Sequence, residues 1–163
     1  WIQRNSWYSY GTAQAHEIDQ IGIYQATQKA MLRALYHLFT QVGAPVPHKI
    51  IIDAMPLVLA PAFSPAPIIE HYNYGETISV SVAAASIIAK VKRDLLLKRW
   101  KVAYPFYTFD AHNAYGTQVH HNEIITQGAT SIHRTTFIKN LTQGLSNENR
   151  QASQHSEQTS LFC

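Results

Sequence analysis

Cysteine is almost absent from this sequence. The single one, Cys163, is the last of 163 residues, so no intrachain disulfide can form and the chain does not read as a stapled secreted scaffold. The nine histidines are scattered, and no pair sits at zinc-site spacing with partnering cysteines, so they read as surface or internally satisfied residues rather than a metal cluster. Charge is sparse too, at 14% of positions. Long apolar runs are missing: the longest uncharged one, Val80 to Ala89, is about half of the roughly 20 residues a membrane-spanning helix requires. No internal repeat is visible. The sequence opens at Trp1 without a methionine, and neither a basic n-region nor an apolar h-region follows. The expectation is therefore a cytoplasmic fragment without a signal peptide and without membrane contact.

What is present is enough to make a core. Hydrophobic residues are 46% of the chain, which at this length predicts one domain over 1–145. From Ser146 onward the composition turns to Ser, Asn, Gln, Glu and Arg, which cannot bury enough apolar area to order itself, so 146–163 is expected to be a flexible tail. A net charge of +3 and a pI near 9.0 permit contact with a polyanion without requiring it.

Along the chain, Trp7 to Thr12 is aromatic and β-prone and predicts a strand. Ala15 to Val42 carries apolar residues near helical spacing and is stopped by Gly43 and Pro45. The isoleucine triplet within His48 to Asp53 predicts a strand buried on both faces of a sheet. Four prolines between Pro56 and Pro67 predict a surface loop. A long helix is expected from Glu76 to about Ala103, ended at Tyr104-Pro105, and Ala83 to Ser86 form a small-residue patch that would let it approach a neighbour closely. Tyr104 to Thr117 reads as an aromatic loop, with further helices at Gln118 to Gln127 and Thr135 to Leu145.

Two carboxylates stand out. Asp53 terminates an apolar strand, where a side chain can project into a cleft at the sheet edge. Asp94 lies three residues after Val91 and seven after Ile87, which puts it on a helix face with apolar neighbours. Brought together, two such groups would repel unless a divalent cation lay between them, the arrangement a two-metal phosphodiester hydrolase uses. The plainer alternatives are a turn cap at Asp53 and an ion pair of Asp94 with Lys90 or Lys98.

The run Ser81-Val-Ala-Ala-Ala-Ser-Ile-Ile-Ala-Lys-Val-Lys-Arg-Asp94 resembles the signature helix of ribonuclease HII, and Tyr104-Pro-Phe-Tyr-Thr-Phe-Asp-Ala-His-Asn-Ala-Tyr-Gly-Thr117 resembles the loop that follows it. Glu17-Ile-Asp, Ile23-Tyr-Gln-Ala-Thr, Ile52-Asp-Ala-Met55 and His133-Arg-Thr-Thr-Phe137 extend the likeness in the same order, over roughly Tyr8 to Leu141. The resemblance implies an α/β fold with a ribonuclease H-like mixed sheet flanked by helices, here lacking its first strands, with C-terminal helices and a disordered tail. It implies an endonuclease that hydrolyses the RNA strand of RNA-DNA hybrids and cuts 5′ of ribonucleotides embedded in DNA, leaving 3′-OH and 5′-phosphate ends, at a site of two Mg²⁺ or Mn²⁺ ions.

By the same resemblance, Asp53 and Asp94 are two of four metal-ligating carboxylates, Tyr115 stacks on the sugar at the junction, and Ser86 and Lys90 lie close to the site. His112 and His120 flank the tyrosine loop within reach of phosphate. Read without the family, Tyr115 is a packed loop aromatic, Lys90 a solvated helix lysine, and the two histidines structural hydrogen-bonding groups.

Three departures stand against the pattern. Asn113 and Ala114 replace a lysine and a glycine. Glu70 to Glu76 replaces a shorter stretch, usually Lys-Gly-Asp. Nothing matches the Asp-Glu-Ala-Gly-Arg-Gly motif that supplies the other two carboxylates, so the fragment is expected to be inactive alone, and a catalytically incomplete nucleic-acid or clamp-binding piece is the alternative reading. In the tail, Gln158-Thr-Ser-Leu-Phe162 resembles the short bacterial motif that docks into the sliding clamp, with Leu161 and Phe162 filling an apolar pocket and Gln158 hydrogen-bonding beside it.

Overall fold

The computed structural model describes residues 1–58, 67–112 and 115–139, the side chains of Asp110 and His112 excepted. The expected tail with Gln158, Leu161 and Phe162, the middle of the proline-rich loop, and Asn113 and Ala114 lie outside the described residues. The fold is mixed α/β and mostly helical.

A one-turn helix α1 (Ile2–Asn5) is followed by extended chain. Helix α2 (Ala15–Phe39) starts where the Glu17 carboxylate accepts the Gln14 backbone N–H at 2.9 Å, which satisfies one of the orphan donors of its first turn. It is interrupted at Gly22 (φ 80°, ψ 159°), a backbone conformation open essentially to glycine alone. Strand β1 (Lys49–Asp53) then pairs in parallel with β2 (Ile68–Tyr72), in register from Lys49 opposite Ile68 to Asp53 opposite Tyr72. A 2.8 Å ion pair between Lys49 and Glu70 fastens one end of the ladder. The short helix α3 (Gly75–Ile78) follows, then α4 (Val80–Ala103), α5 (Phe109–His112) and α6 (Gln118–Gln127). The Thr117 hydroxyl caps α6 by accepting the His120 N–H at 3.3 Å, and Gly128 at φ 82° ends it. The backbone is helical again over 135–139.

These residues fall into two compact units. Of the described residues, those within Trp1–Ala13 and Ile21–Leu95 make the first, and those of Gln14–Gln20 and from Leu96 to Lys139 make the second. In the first, the buried apolar residues are Ala26, Ile52, Leu57 and Ile88. In the second, Leu97, Tyr107, Phe109, Ile124 and Ile138 form the core, with Trp100, Tyr104 and Ile132 packed around it. Tyr107 and Phe109 stack with ring centres 4.9 Å apart, and the Tyr107 hydroxyl donates to the Gly128 carbonyl. Asp19 ties 14–20 into this unit by accepting the hydroxyls of Thr135 and Thr136, with the Arg134 guanidinium at 3.6 Å.

Five expectations change. The Tyr104 to Thr117 loop carries the short helix α5. Trp7 to Thr12 is not a strand. Its carbonyls go instead to side chains of α2 and the turn after it, Thr12 O to Arg33 at 2.6 Å and Tyr8 O to Gln41 at 2.8 Å, and Gly11 sits so close to α2 that no ladder partner could lie between. Strand β1 is not buried on both faces: Ile52 is buried, Ile50 and Ile51 are half-buried, and Lys49 and Asp53 are exposed. The expected Glu76 to Ala103 helix is two helices, because Ser79 is extended (φ −130°, ψ 120°). The small-residue patch is not a tight junction throughout, since Ala85 and Ser86 line an open cavity.

Candidate active site

The site is built where β1 ends. Asp53 is the last residue of the strand, and Ala54 turns the chain with φ 55° while its N–H donates to the Tyr72 carbonyl at 2.8 Å. On the β2 side, Tyr74 adopts a left-handed conformation (φ 59°) that swings the chain back, and the Gly75 N–H donates to Asp53 Oδ1 at 3.0 Å. The approach is close: a Cβ at Gly75 would stand 3.3 Å from Asp53 Cα and 3.5 Å from its Cβ. Glu76, the next residue, is thereby delivered to the cavity that Asp53 lines.

That cavity, about 520 Å³ in the first unit, is bounded by Ile50, Ile51 and Ile52 of β1, by Ala30, Met31, Ala34 and Leu35 of α2, and by Ser81, Val82, Ala85, Ser86 and Ala89 of α4. Its carboxylates are Asp53 and Glu76. An apolar wall whose lining also holds two hard oxygen donors suits a divalent cation of the Mg²⁺ or Mn²⁺ kind better than a soft or nitrogen-loving metal. Gly75 occupies one Asp53 oxygen and so fixes the carboxylate while the second oxygen remains for a ligand. Among the described residues no three His, Cys, Asp or Glu side chains gather as a complete metal cluster.

The other expected site residues are placed differently. Ser86 lines the Asp53 cavity; Asp94 does not. The cavity wall on α4 ends at Ala89, and Asp94 lies about 7.5 Å further along the helix and about 150° around from the middle of that wall, at 1.5 Å and 100° per residue. Asp94 instead meets Lys90 at 3.5 Å, one helical turn back. In the second unit, Tyr115 is 66% exposed, and the His112 side chain is outside the description. His120 is buried against Tyr107 and Phe109, with Nδ1 3.3 Å from the Glu123 carboxylate. Its position is structural.

A family model described as Ribonuclease HII matches residues 3–140. The chain belongs to the ribonuclease HII family. Ribonuclease HII of Prochlorococcus marinus (strain NATL1A) is 40% identical over 135 residues, 82% of this chain and 64% of that protein. Ribonuclease HII of Bacillus licheniformis is 38% identical over 145 residues, 83% of this chain and 52% of that protein, and that of Staphylococcus carnosus (strain TM300) is 40% identical over 136 residues, 83% and 48%. The chain thus spans between about half and just under two thirds of the length of these relatives. Among the described residues no helix is long and apolar enough to cross a membrane.

Within this family frame, the residue that sequence reasoning passed over is Glu76. The signal was in the sequence: the stretch ending Tyr74-Gly75-Glu76 stands where the family usually has Lys-Gly-Asp, a glycine followed by a carboxylate. In the sequence this stretch is a departure from the family pattern; in the structure the Gly75 N–H donates to Asp53, and Glu76 lines the same cavity as Asp53.

Proposed function

We propose that this chain carries part of the site of a metal-dependent ribonuclease H, an endonuclease acting on the RNA strand of RNA-DNA hybrids and on ribonucleotides embedded in DNA, with cleavage 5′ of the ribonucleotide to leave 3′-OH and 5′-phosphate. The observation that carries the proposal is the convergence of Asp53 and Glu76 on one cavity, linked through Gly75. Asp53 and Glu76 are the residues that would hold Mg²⁺ or Mn²⁺, in place of the pairing of Asp53 with Asp94 that helical spacing suggested. Bound divalent cations supply charge stabilisation at the scissile phosphate and an acidified water. The chain's own contribution is positional: β1 and the Tyr74-Gly75 turn present two oxygens, and Ser86 offers a hydroxyl on the wall beside them.

Lys90 is paired to Asp94 and mostly exposed, in reach of a phosphate backbone arriving along α4. Tyr115 keeps its ring accessible, as stacking on a sugar requires, and His112 is proposed as a phosphate contact from its place beside the tyrosine loop in the sequence. Gln158, Leu161 and Phe162 are proposed to engage the bacterial sliding clamp on the strength of their sequence pattern. Work on nucleic acid in the cytoplasm, in replication and repair of DNA, fits this assignment.

Metal binding tests the site directly. Calorimetric titration of the chain with Mn²⁺ should show binding weakened about tenfold or more by Asp53→Asn and by Glu76→Gln, and left within about twofold by Asp94→Asn, since an exposed one-turn ion pair contributes little. Unchanged binding in Asp53→Asn would remove the metal reading. A loss in Asp94→Asn equal to that in Asp53→Asn would restore Asp94 in place of Glu76. A second reading is favoured by the two-carboxylate donor set: a catalytically incomplete nucleic-acid or clamp-binding fragment, which would hold a duplex with one embedded ribonucleotide in the presence of Mn²⁺ and leave it uncut.

A further inference from the structure

The second unit contains a buried polar cluster that the proposed chemistry does not use. His120 and His133 are 6% and 8% exposed, and their rings stack 5.2 Å apart at 23°. His133 also lies 5.1 Å from the Tyr107 ring and 6.0 Å from Phe109. The hydrogen bonding settles its tautomer. The Thr130 backbone N–H donates to His133 Nδ1 at 3.0 Å, and the Thr130 hydroxyl stands 2.8 Å from the same nitrogen. A backbone amide can only donate, so Nδ1 must offer a lone pair and the proton of the neutral ring resides on Nε2. That Nε2 is buried with no hydrogen-bond partner among the described residues.

We propose that His133 is an acid-sensitive latch of the second unit: the 130–133 turn closes only on a neutral imidazole, and a proton at Nδ1 opens it and loosens the adjoining Asp19 anchor. Protonation would set N–H against N–H at Thr130, discarding the bond that closes the turn, and would place a cation in an aromatic pocket. The groups facing His133 are His120 and Glu123 of α6 and Tyr107 ahead of α5. On its own segment Arg134 is next in sequence and lies against Asp19. Glu123 is the one counter-charge among these, and it already accepts the Thr108 N–H and hydroxyl and meets His120.

Burial first, and the neighbouring His120 second, hold the His133 pKa below its ordinary value, with the Thr130 backbone and then the Glu123 charge opposing only in part. The sign follows: a histidine depressed in the folded state lends stability that is whole above about pH 6.5 and is lost as pH falls below it. The latch couples to more than one turn, because the residues right after His133 are those that grip Asp19.

Thermal melts of the chain between about pH 7.5 and about pH 5.5 test this. His133→Asn is the informative variant, since its Oδ1 can accept the Thr130 N–H but does not titrate. The melting temperature of the unaltered chain should fall across the window, the fall should shrink by about half or more in His133→Asn, and it should persist in the control His48→Asn, an exposed histidine of the first unit. A full fall in His133→Asn overturns the proposal. Should that variant not fold, ¹⁵N chemical shifts of the imidazoles in the unaltered chain decide: a neutral Nε2–H ring at about pH 6.5 supports the latch, and a charged ring or an Nδ1–H tautomer there overturns it.

Discussion

Gly11→Ala is the substitution for which the structure makes the sharpest demand. A Cβ there would lie 2.0 Å from the Ala30 carbonyl oxygen, 2.8 Å from Ala34 N and 2.9 Å from Arg33 Cβ. Carbon and oxygen in ordinary contact stand about 3.3 Å apart, so the two backbones would have to separate by more than about 1 Å. No side chain can give way, because the nearest atom belongs to the helix itself. Overpacking of this kind costs about 1–3 kcal/mol. The separation also stretches the Arg33 to Thr12 and Gln41 to Tyr8 hydrogen bonds, at about 1 kcal/mol each. Loss of glycine's unfolded-state freedom returns about 0.4–1 kcal/mol. The net is a destabilisation of about 3 kcal/mol, or a melting temperature lower by about 6–12 °C for a chain of this size. Gly11, Ala30 and Ala34 also line the cavity of Asp53 and Glu76, so Mn²⁺ affinity should weaken as well. Gly116→Ala is the control: its Cβ would meet only the tip of the His121 ring at 3.3 Å, which can rotate aside. Urea titration and thermal melting of both variants provide the measurement. A Gly11→Ala protein melting within about 2 °C of the unaltered chain, less than about 1 kcal/mol, would refute the packing of the Trp7–Thr12 segment on α2.

Asp19 sets a second acid boundary. The Thr136 hydroxyl, chiefly, and the Thr135 hydroxyl hold its pKa down at about 2, so its contribution is whole above about pH 4 and is lost as pH falls toward 2; Asp19→Asn should flatten the acid limb of the melting profile there, and an unchanged limb would count against the anchor. In the tail, replacing Leu161 and Phe162 by alanine should remove measurable binding to a bacterial sliding clamp in surface plasmon resonance, and retained binding would retire the motif.

Local periodicity made the helices legible. The helix expected at Gln118 to about Gln127 is there, and the structure adds the Thr117 cap and the Gly128 stop that set its ends, both chemically local events. The β1 strand was readable for the same reason, as an isoleucine triplet between a lysine and an aspartate. Trp7 to Thr12 was not, because β-propensity describes residues that fit a half-buried pleated surface, and here the segment's aromatic residues lie along a helix instead. Lys92 shows how: its ammonium stands 5.8 Å and 5.1 Å from the Tyr8 and Tyr10 ring centres, a cation–π arrangement with no counterpart in a ladder. The break at Ser79 was equally hidden, since nothing in Thr-Ile-Ser-Val forbids a helix, yet Ser79 is extended.

The same contrast explains why helical spacing chose Asp94. Counting apolar neighbours along α4 identifies which side of the helix a residue shares, but not what that side faces. The α4 wall of the cavity comprises Ser81, Val82, Ala85, Ser86 and Ala89, and a helix turning 100° per residue carries position 94 away from it. In the structure Asp94 makes the ion pair with Lys90 one turn back, the contact the plainer alternative expects. Glu76 reaches the cavity by another route, through a left-handed Tyr74 and a glycine whose missing Cβ leaves room for Asp53. Neither feature has a period. A carboxylate delivered by a turn is visible in sequence only as a glycine beside an acidic residue, and the neighbour it is delivered to, Asp53, lies 23 positions upstream.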